Sequence, residues 1–211
     1  MRFIRIFALT IVCLLITSIL FGCGSKVIMP PVVDLTKYNN VGLINFKSDA
    51  KGKLGEYVTQ KFLQEVSRSQ NGVRIIELGD EDRVLRSIDR EEIGPKAIQI
   101  IGEKYDVDAI IMGNLRVSDI KPKVDITTIV KNLSVKADVN ASLSVKLIET
   151  DSGATVWTNI AEDQKTVAQV SVFSNKDIFF DAKDPDEAYG DLAESLIKQV
   201  TEDLKTRRRR I

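Results

Sequence analysis

From Leu133 to Leu147 every second residue is apolar: Leu133, Val135, Ala137, Val139, Ala141, Leu143, Val145 and Leu147 alternate with Ser134, Lys136, Asp138, Asn140, Ser142, Ser144 and Lys146. Successive side chains of an extended chain point to opposite faces, so a period of two held over this length demands a long strand with one buried and one solvated face. Asp151-Ser152-Gly153 supplies turn chemistry just beyond it, and Ala154 to Ile160, which contains Trp157, returns as a partner strand. Together they form an antiparallel meander. The rest of the fold must cover one face of this hairpin.

Upstream, Val41 to Phe46 reads as a short strand buried within a sheet. A helix follows from Leu54, where Tyr57, Val58, Phe62, Leu63 and Val66 recur at three- and four-residue intervals, and Asn71-Gly72 ends it. Val73 to Leu78 is a second strand, which completes a β-α-β unit with parallel strands joined right-handedly. Two shorter helical segments come next, Glu81 to Arg90 and Pro95 to Lys104, with Pro95 suited to a first turn. Val107 to Gly113 is a third core strand. The last helix runs from about Asp186 to Lys205, carries Leu192, Leu196, Ile197, Val200 and Leu204 on one stripe, and has Asp184 or Asp186 to cap it. The class is therefore α/β with α+β character: a mixed sheet from a β-α-β unit plus a long antiparallel hairpin, with helices packed on the sheet.

Residues 1–22 have the form of an export signal, with Arg2 and Arg5 ahead of an apolar run from Ile6 to Phe21. A bilayer core of ~30 Å needs ~20 helical residues, and this run is shorter and ends in small residues, which favours a cleaved signal over a permanent span. Leu20-Phe21-Gly22-Cys23 resembles the bacterial lipobox, although Phe21 is larger than the residues usual at its position. That resemblance implies a diacylglyceryl group on the Cys23 thiol and cleavage before Cys23, with or without acylation of the new amino group. At ~0.8 kcal/mol per buried methylene, two or three chains hold a protein stably where one holds it marginally. The alternative is that Cys23 merely follows an uncleaved anchor helix; both place the domain outside the cytoplasm. Gly24, where an aspartate would resemble an inner-membrane retention signal, favours the outer membrane facing the periplasm. Ser25 to Thr36, with Pro30-Pro31 in tandem, reads as an extended tether. The expected division is thus signal peptide 1–22, lipidated tether 23–37 and α/β domain 38–211.

Composition narrows the chemistry. The 211 residues are 44% hydrophobic and 28% charged, the balance of a chain able to bury a core. Lys and Arg number 30 against 30 Asp and Glu, so no basic excess attracts nucleic acid. The two cysteines are Cys13 in the leader and Cys23 at its end, which leaves the domain without a disulfide. There is no histidine, which removes Ser-His and Cys-His catalysis and His-ligated zinc. Carboxylate, lysine or tyrosine chemistry remains. Asp80-Glu81-Asp82 and Glu91-Glu92 are more simply a solvated face than a cation site. Gly52, Gly55 and Gly94 lack the Gly-Lys-Ser/Thr of a phosphate loop. No cofactor, no metal and no small-molecule substrate is expected.

The order of elements, carried locally by Val41 to Phe46, by Tyr105-Asp106-Val107-Asp108-Ala109-Ile110-Ile111-Met112-Gly113 and by Leu147-Ile148-Glu149-Thr150-Asp151-Ser152-Gly153, resembles the periplasmic domain of the CsgG-like curli-secretion lipoproteins from Tyr38 to Lys205. Related α/β domains occur in the TolB amino-terminal module and in lipoprotein activators of peptidoglycan synthases. Channel members of the CsgG-like family assemble into rings and contribute two β-hairpins each to a barrel. Of the two candidate hairpins here, Val117 to Val145 carries Asp119, Lys121, Pro122 and Lys123, and Val167 to Phe180 is short per strand. The expectation is therefore a non-enzymatic, outer-membrane-anchored lipoprotein whose domain mediates protein assembly in export or envelope maintenance, with envelope proteins or copies of itself as partners. A curli-type channel subunit is the alternative, and a carboxylate hydrolase a more distant one. Phe173, Ile178, Phe179 and Phe180 either dock a partner or bury against the last helix. Arg207 to Arg210 either complement that helix's carboxyl end or touch anionic lipid.

Overall fold

The computed structural model describes residues 26–123, 135–172 and 178–210. Cys23, Leu133, Ser134 and Phe173 lie outside the described residues. Along the chain come β1 (Lys26–Met29), β2 (Val41–Ile44), β3 (Lys47–Ser48), β4 (Lys51–Gly52), α1 (Leu54–Ser69), β5 (Ile75–Gly79), α2 (Glu81–Ser87), α3 (Pro95–Tyr105), β6 (Ala109–Lys123), β7 (Val135–Glu149), β8 (Thr155–Val172), β9 (Ile178–Phe180), α4 (Pro185–Val200) and β10 (Arg207–Arg210). They form two units. One holds the two-stranded ribbon of β1 and β10; the other runs from Pro31 to Lys205 and contains everything else.

The main unit is a mixed sheet in the order β4-β9-β8-β7-β6-β2-β5, with β3 added beside β6. As the β-α-β pattern requires, β2 pairs in parallel with β5 and also with β6. The alternating segment is β7, antiparallel to β6 from Glu149 opposite Ala109 and to β8 from Leu147 opposite Trp157. Its odd-numbered residues from Ala137 to Leu147 join Leu43, Ile111 and Leu115 in a core closed by Val58, Phe62 and Val66 of α1 and by Leu192, Leu196 and Val200 of α4. A smaller core gathers Ile44, Leu78, Val84, Ile98, Ile101, Ile110 and Ile148 beneath α2 and α3. Ile110 and Ile111, adjacent on β6, enter different cores because neighbouring strand residues face opposite ways.

Local chemistry sets the helix ends. Asp184 caps α4, its carboxylate accepting from the Glu187 N–H at 3.2 Å, with Pro185 in the first turn. Asp89, at φ 55°, stands in the left-handed region just beyond α2, so that helix stops at Ser87 rather than at the expected Arg90. Asp106, at φ 54°, closes α3 in the same way.

The strands extend past their expected ends. β6 continues from Gly113 to Lys123 and β8 from Ile160 to Val172. The hydropathy signal is diluted there because every other residue of these continuations is polar and exposed: Asn114, Arg116 and Ser118 on β6, Glu162 and Gln164 on β8. The short second hairpin is the far end of β8 paired with β9, Val172 opposite Ile178. Two further differences lie at the chain's ends. Packing of the main unit begins before Tyr38: Asp34 caps a 3-10 turn at Leu35–Lys37, and the Leu35 side chain is fully buried. Arg207 to Arg210 form a strand rather than a tail.

Candidate functional site

The three long antiparallel strands place a broad polar surface on the side away from α1 and α4. Register fixes its rows: Asn114, Ser144 and Ile160 lie side by side, then Arg116, Ser142 and Glu162, then Ser118, Asn140 and Gln164. The β6 and β8 members of these rows are exposed, and the β7 members are half-buried between them. Helices α2 and α3 cover only the end of this side around Ile110 and Ile148. Ile160, 61% exposed, and Val156 stand out as apolar points on an otherwise polar field of serine, asparagine, threonine and charge. At its far end the Thr166 hydroxyl donates to Asp138 Oδ1 at 2.5 Å. This surface is rich in short hydroxyl and amide side chains, whereas a small-molecule site is typically concave and largely apolar.

The opposite side carries a groove of about 590 Å³ between α1 and α4. Its lining mixes cations (Lys61, Arg68, Lys198, Lys205) with anions (Glu65, Asp186, Asp191, Glu194). Lys61 Nζ and the Tyr57 hydroxyl both reach Asp186 Oδ1 at 2.5 Å, and Lys205 meets Glu65 at 2.7 Å. The Lys61 ammonium, followed by the Tyr57 hydroxyl, holds the Asp186 carboxyl below the usual carboxylate range. Burial, reinforced by Asp186, pushes the Tyr57 phenol far above its ordinary value. A phenol this hard to ionise is a fixed donor rather than a base. Two ion pairs thus lie within the groove, Lys61 with Asp186 and Lys205 with Glu65.

The acidic run behaves as a surface. Asp80 accepts from the Asn45 side chain at 2.8 Å, and Glu81 faces Lys47 at 3.6 Å. Among the described residues no three of Cys, Asp and Glu gather as a metal-ion set. Phe180 is fully buried, edge-on to Tyr189 of α4 at 5.7 Å, so this member of the aromatic cluster packs against the last helix. Phe179 is half-buried under the Lys51 ammonium. The expected lipidation residue, Cys23, lies outside the described residues, three positions ahead of β1.

One residue of consequence gave no sign in the sequence. Gln70, the residue after α1, is 4% exposed. Its Oε1 accepts from the Leu35 N–H at 2.9 Å, and its Nε2 donates to the Val33 carbonyl at 2.8 Å and the Leu204 carbonyl at 2.7 Å. Together with the Val33 N–H to Asp203 carbonyl bond at 3.1 Å, it clamps the first and last stretches of the main unit together. Sequence shows only a glutamine before Asn-Gly, which reads as a solvated helix end.

No protein-family model matches the sequence, and no curated protein matches it either. Solved structures to which the chain is similar include the PelC dodecamer of Paraburkholderia phytofirmans, at 15% identity over 88% of this chain and 100% of that one, with a TM-score of 0.44. They also include the LpoB C-terminal domain of Salmonella enterica, at 10% identity over 63% and 86% with a TM-score of 0.39. A third is lipoprotein GNA1162 of Neisseria meningitidis, at 11% identity over 77% and 97% with a TM-score of 0.40. None of these is a CsgG-like protein, and the expected kinship with the curli-secretion channels is withdrawn on that finding, together with the channel-subunit alternative. The order of elements misled because it follows from general rules, a right-handed β-α-β crossover and a sequential hairpin, which unrelated families obey alike.

Proposed function

We propose that this protein is a non-enzymatic lipoprotein of the cell envelope, anchored through acylated Cys23 at the outer membrane and facing the periplasm, whose α/β unit works by binding other proteins there. The observation that carries the reading is Leu20-Phe21-Gly22-Cys23 at the end of an apolar run preceded by Arg2 and Arg5. A thioether-linked diacylglyceryl group at that position holds a water-soluble unit durably on a bilayer. The uncovered face of β6, β7 and β8 supports the second half of the proposal, since it spans three long strands, is polar, and offers hydrogen-bonding side chains with isolated apolar points. The chain's lack of histidine supports the non-enzymatic part of the reading, since it removes the side chain most used for acid-base catalysis.

The test has two arms. Cells grown with labelled palmitate should label the wild type and not Cys23→Ser; equal label in both would end the lipoprotein reading. A photo-reactive amino acid at Ser142, on the open sheet face, should cross-link to an envelope protein or to a second copy, whereas one at Gln64 on α1 should not. Cross-linking confined to Gln64 would move the docking surface to the helices.

A further inference from the structure

We propose that the ribbon of β1 and β10 binds the anionic phospholipid headgroups of the membrane into which Cys23 is anchored. The proposal rests on the lipidation reading above and assigns it a second, electrostatic contact. β10 is four consecutive arginines, Arg207 to Arg210, and its partner β1 is Lys26-Val27-Ile28-Met29. Neither strand contains an acidic residue, so the two are joined by backbone pairing in a ribbon that is entirely cationic in its charged positions. At ~3.3 Å per strand residue, these guanidinium-bearing residues are concentrated within ~13 Å of chain.

In sequence the arginines lie past the 3-10 turn that ends at Leu204, beyond the last turn of α4, which ends at Val200 and within which a helix dipole acts. Register supplies the link to the membrane. Arg210 stands opposite Lys26 and Arg209 opposite Val27. Lys26 is the third residue after Cys23, and three extended residues reach ~10 Å. Acyl chains on Cys23 would therefore hold this end of the ribbon within about a Debye length of the headgroups, ~8 Å at physiological ionic strength. The apolar part of β1 fits the same location, because Val27, Ile28 and Met29 are 40%, 64% and 43% exposed beside the arginine strand. Cationic residues interleaved with exposed aliphatic ones are what an interfacial segment presents to a bilayer surface. No aromatic residue stands in either strand to stack on nucleic-acid bases.

The experiment uses the mature lipidated chain carrying Ile28→Cys. Once Cys23 is thioether-linked and the leader is gone, the thiol introduced by that substitution is the single labelling site, and a polarity-sensitive fluorophore there reports the ribbon's surroundings. On vesicles of phosphatidylcholine containing phosphatidylglycerol the emission should shift to the blue; on phosphatidylcholine alone it should not. High salt should reverse the shift, replacing Arg207 to Arg210 by glutamine should abolish it, and replacing them by lysine should preserve most of it. Equal spectra on both vesicle types, or a shift that survives the glutamine replacement, would overturn the proposal. So would the same shift produced by single-stranded DNA without lipid, which would mark the ribbon as a general polyanion site. Flotation with neutral vesicles separates the two readings: a chain that fails to float has lost its anchor, while the phosphatidylglycerol dependence still reports on the ribbon.

Discussion

Replacing Gln70 by methionine keeps the volume of the side chain and removes all three of its hydrogen bonds to Leu35, Val33 and Leu204. Two of these bonds are buried, so the Leu35 N–H and the Leu204 carbonyl would be left without partners, at about 1 to 3 kcal/mol each. The expected loss is about 2 to 6 kcal/mol, large against the ~5 to 15 kcal/mol of a typical domain. Trp157, the chain's one tryptophan, is half-buried and donates to Asp203 at 3.3 Å, so its fluorescence reports the same end of the molecule. With a urea slope of about 2 kcal/mol per molar, the unfolding midpoint of Gln70→Met should fall by about 1 to 3 M with the slope unchanged. Gln70→Glu should be worse still near neutral pH, because a carboxylate would face two carbonyls. Burial raises the folded-state pKa of that carboxyl, so the deficit should grow as pH rises above the ordinary glutamate range and shrink below it. Gln60→Met is the control: Gln60 is exposed, its side chain bonds among the described residues to Glu77 at 2.8 Å, and the change should alter stability by less than about 0.5 kcal/mol. A Gln70→Met midpoint within about 0.3 M of wild type would refute the clamp and show that water satisfies these groups.

Other substitutions probe packing and charge. Gly102→Ala places a methyl group 2.5 Å from Thr150 Cβ, so the midpoint should fall by the equivalent of about 1 to 3 kcal/mol despite alanine's better helix propensity, while Gly94→Ala, which meets nothing within 4 Å, should not show that loss. Tyr189 is 2% exposed and its hydroxyl has no hydrogen-bond partner among the described residues, so Tyr189→Phe should leave thermal stability unchanged or raise it. Asp186 has its folded-state pKa lowered by Lys61 and Tyr57, so its contribution is present above the usual aspartate pKa and is lost as pH falls through the lowered value. Asp186→Asn should therefore reduce stability near neutral pH and flatten the acid limb of a stability-against-pH curve.

The hairpin was legible because β7 is covered on one face only, which writes a period of two into its residues; α1 and α4 were legible for the matching reason at helical spacing. The lengths of β6 and β8 were not, since a strand with Asn114, Arg116 and Ser118 on an open face has half the hydropathy of a buried one, and pairing rather than composition sustains it. The pairing of β10 left no trace, because four arginines carry neither alternation nor β-branching, and only a distant partner, β1, gives them a strand's geometry. Leu35 was hidden among prolines and polar residues, and the partner of its N–H is Gln70, far along the chain. The open sheet face was half visible: alternation distinguishes two faces, but which one the helices cover depends on register and crossover. The proposed lipidation of Cys23 is the opposite case, since it rests on a short contiguous motif that is read without any fold.

Mass spectrometry of the mature chain isolated from its own envelope tests the central claim most directly. The account predicts an amino-terminal peptide beginning at Cys23 and heavier by a diacylglyceryl group, with or without an amide-linked acyl chain. A mature chain that retains Met1, or one that begins elsewhere with Cys23 unmodified, would contradict it.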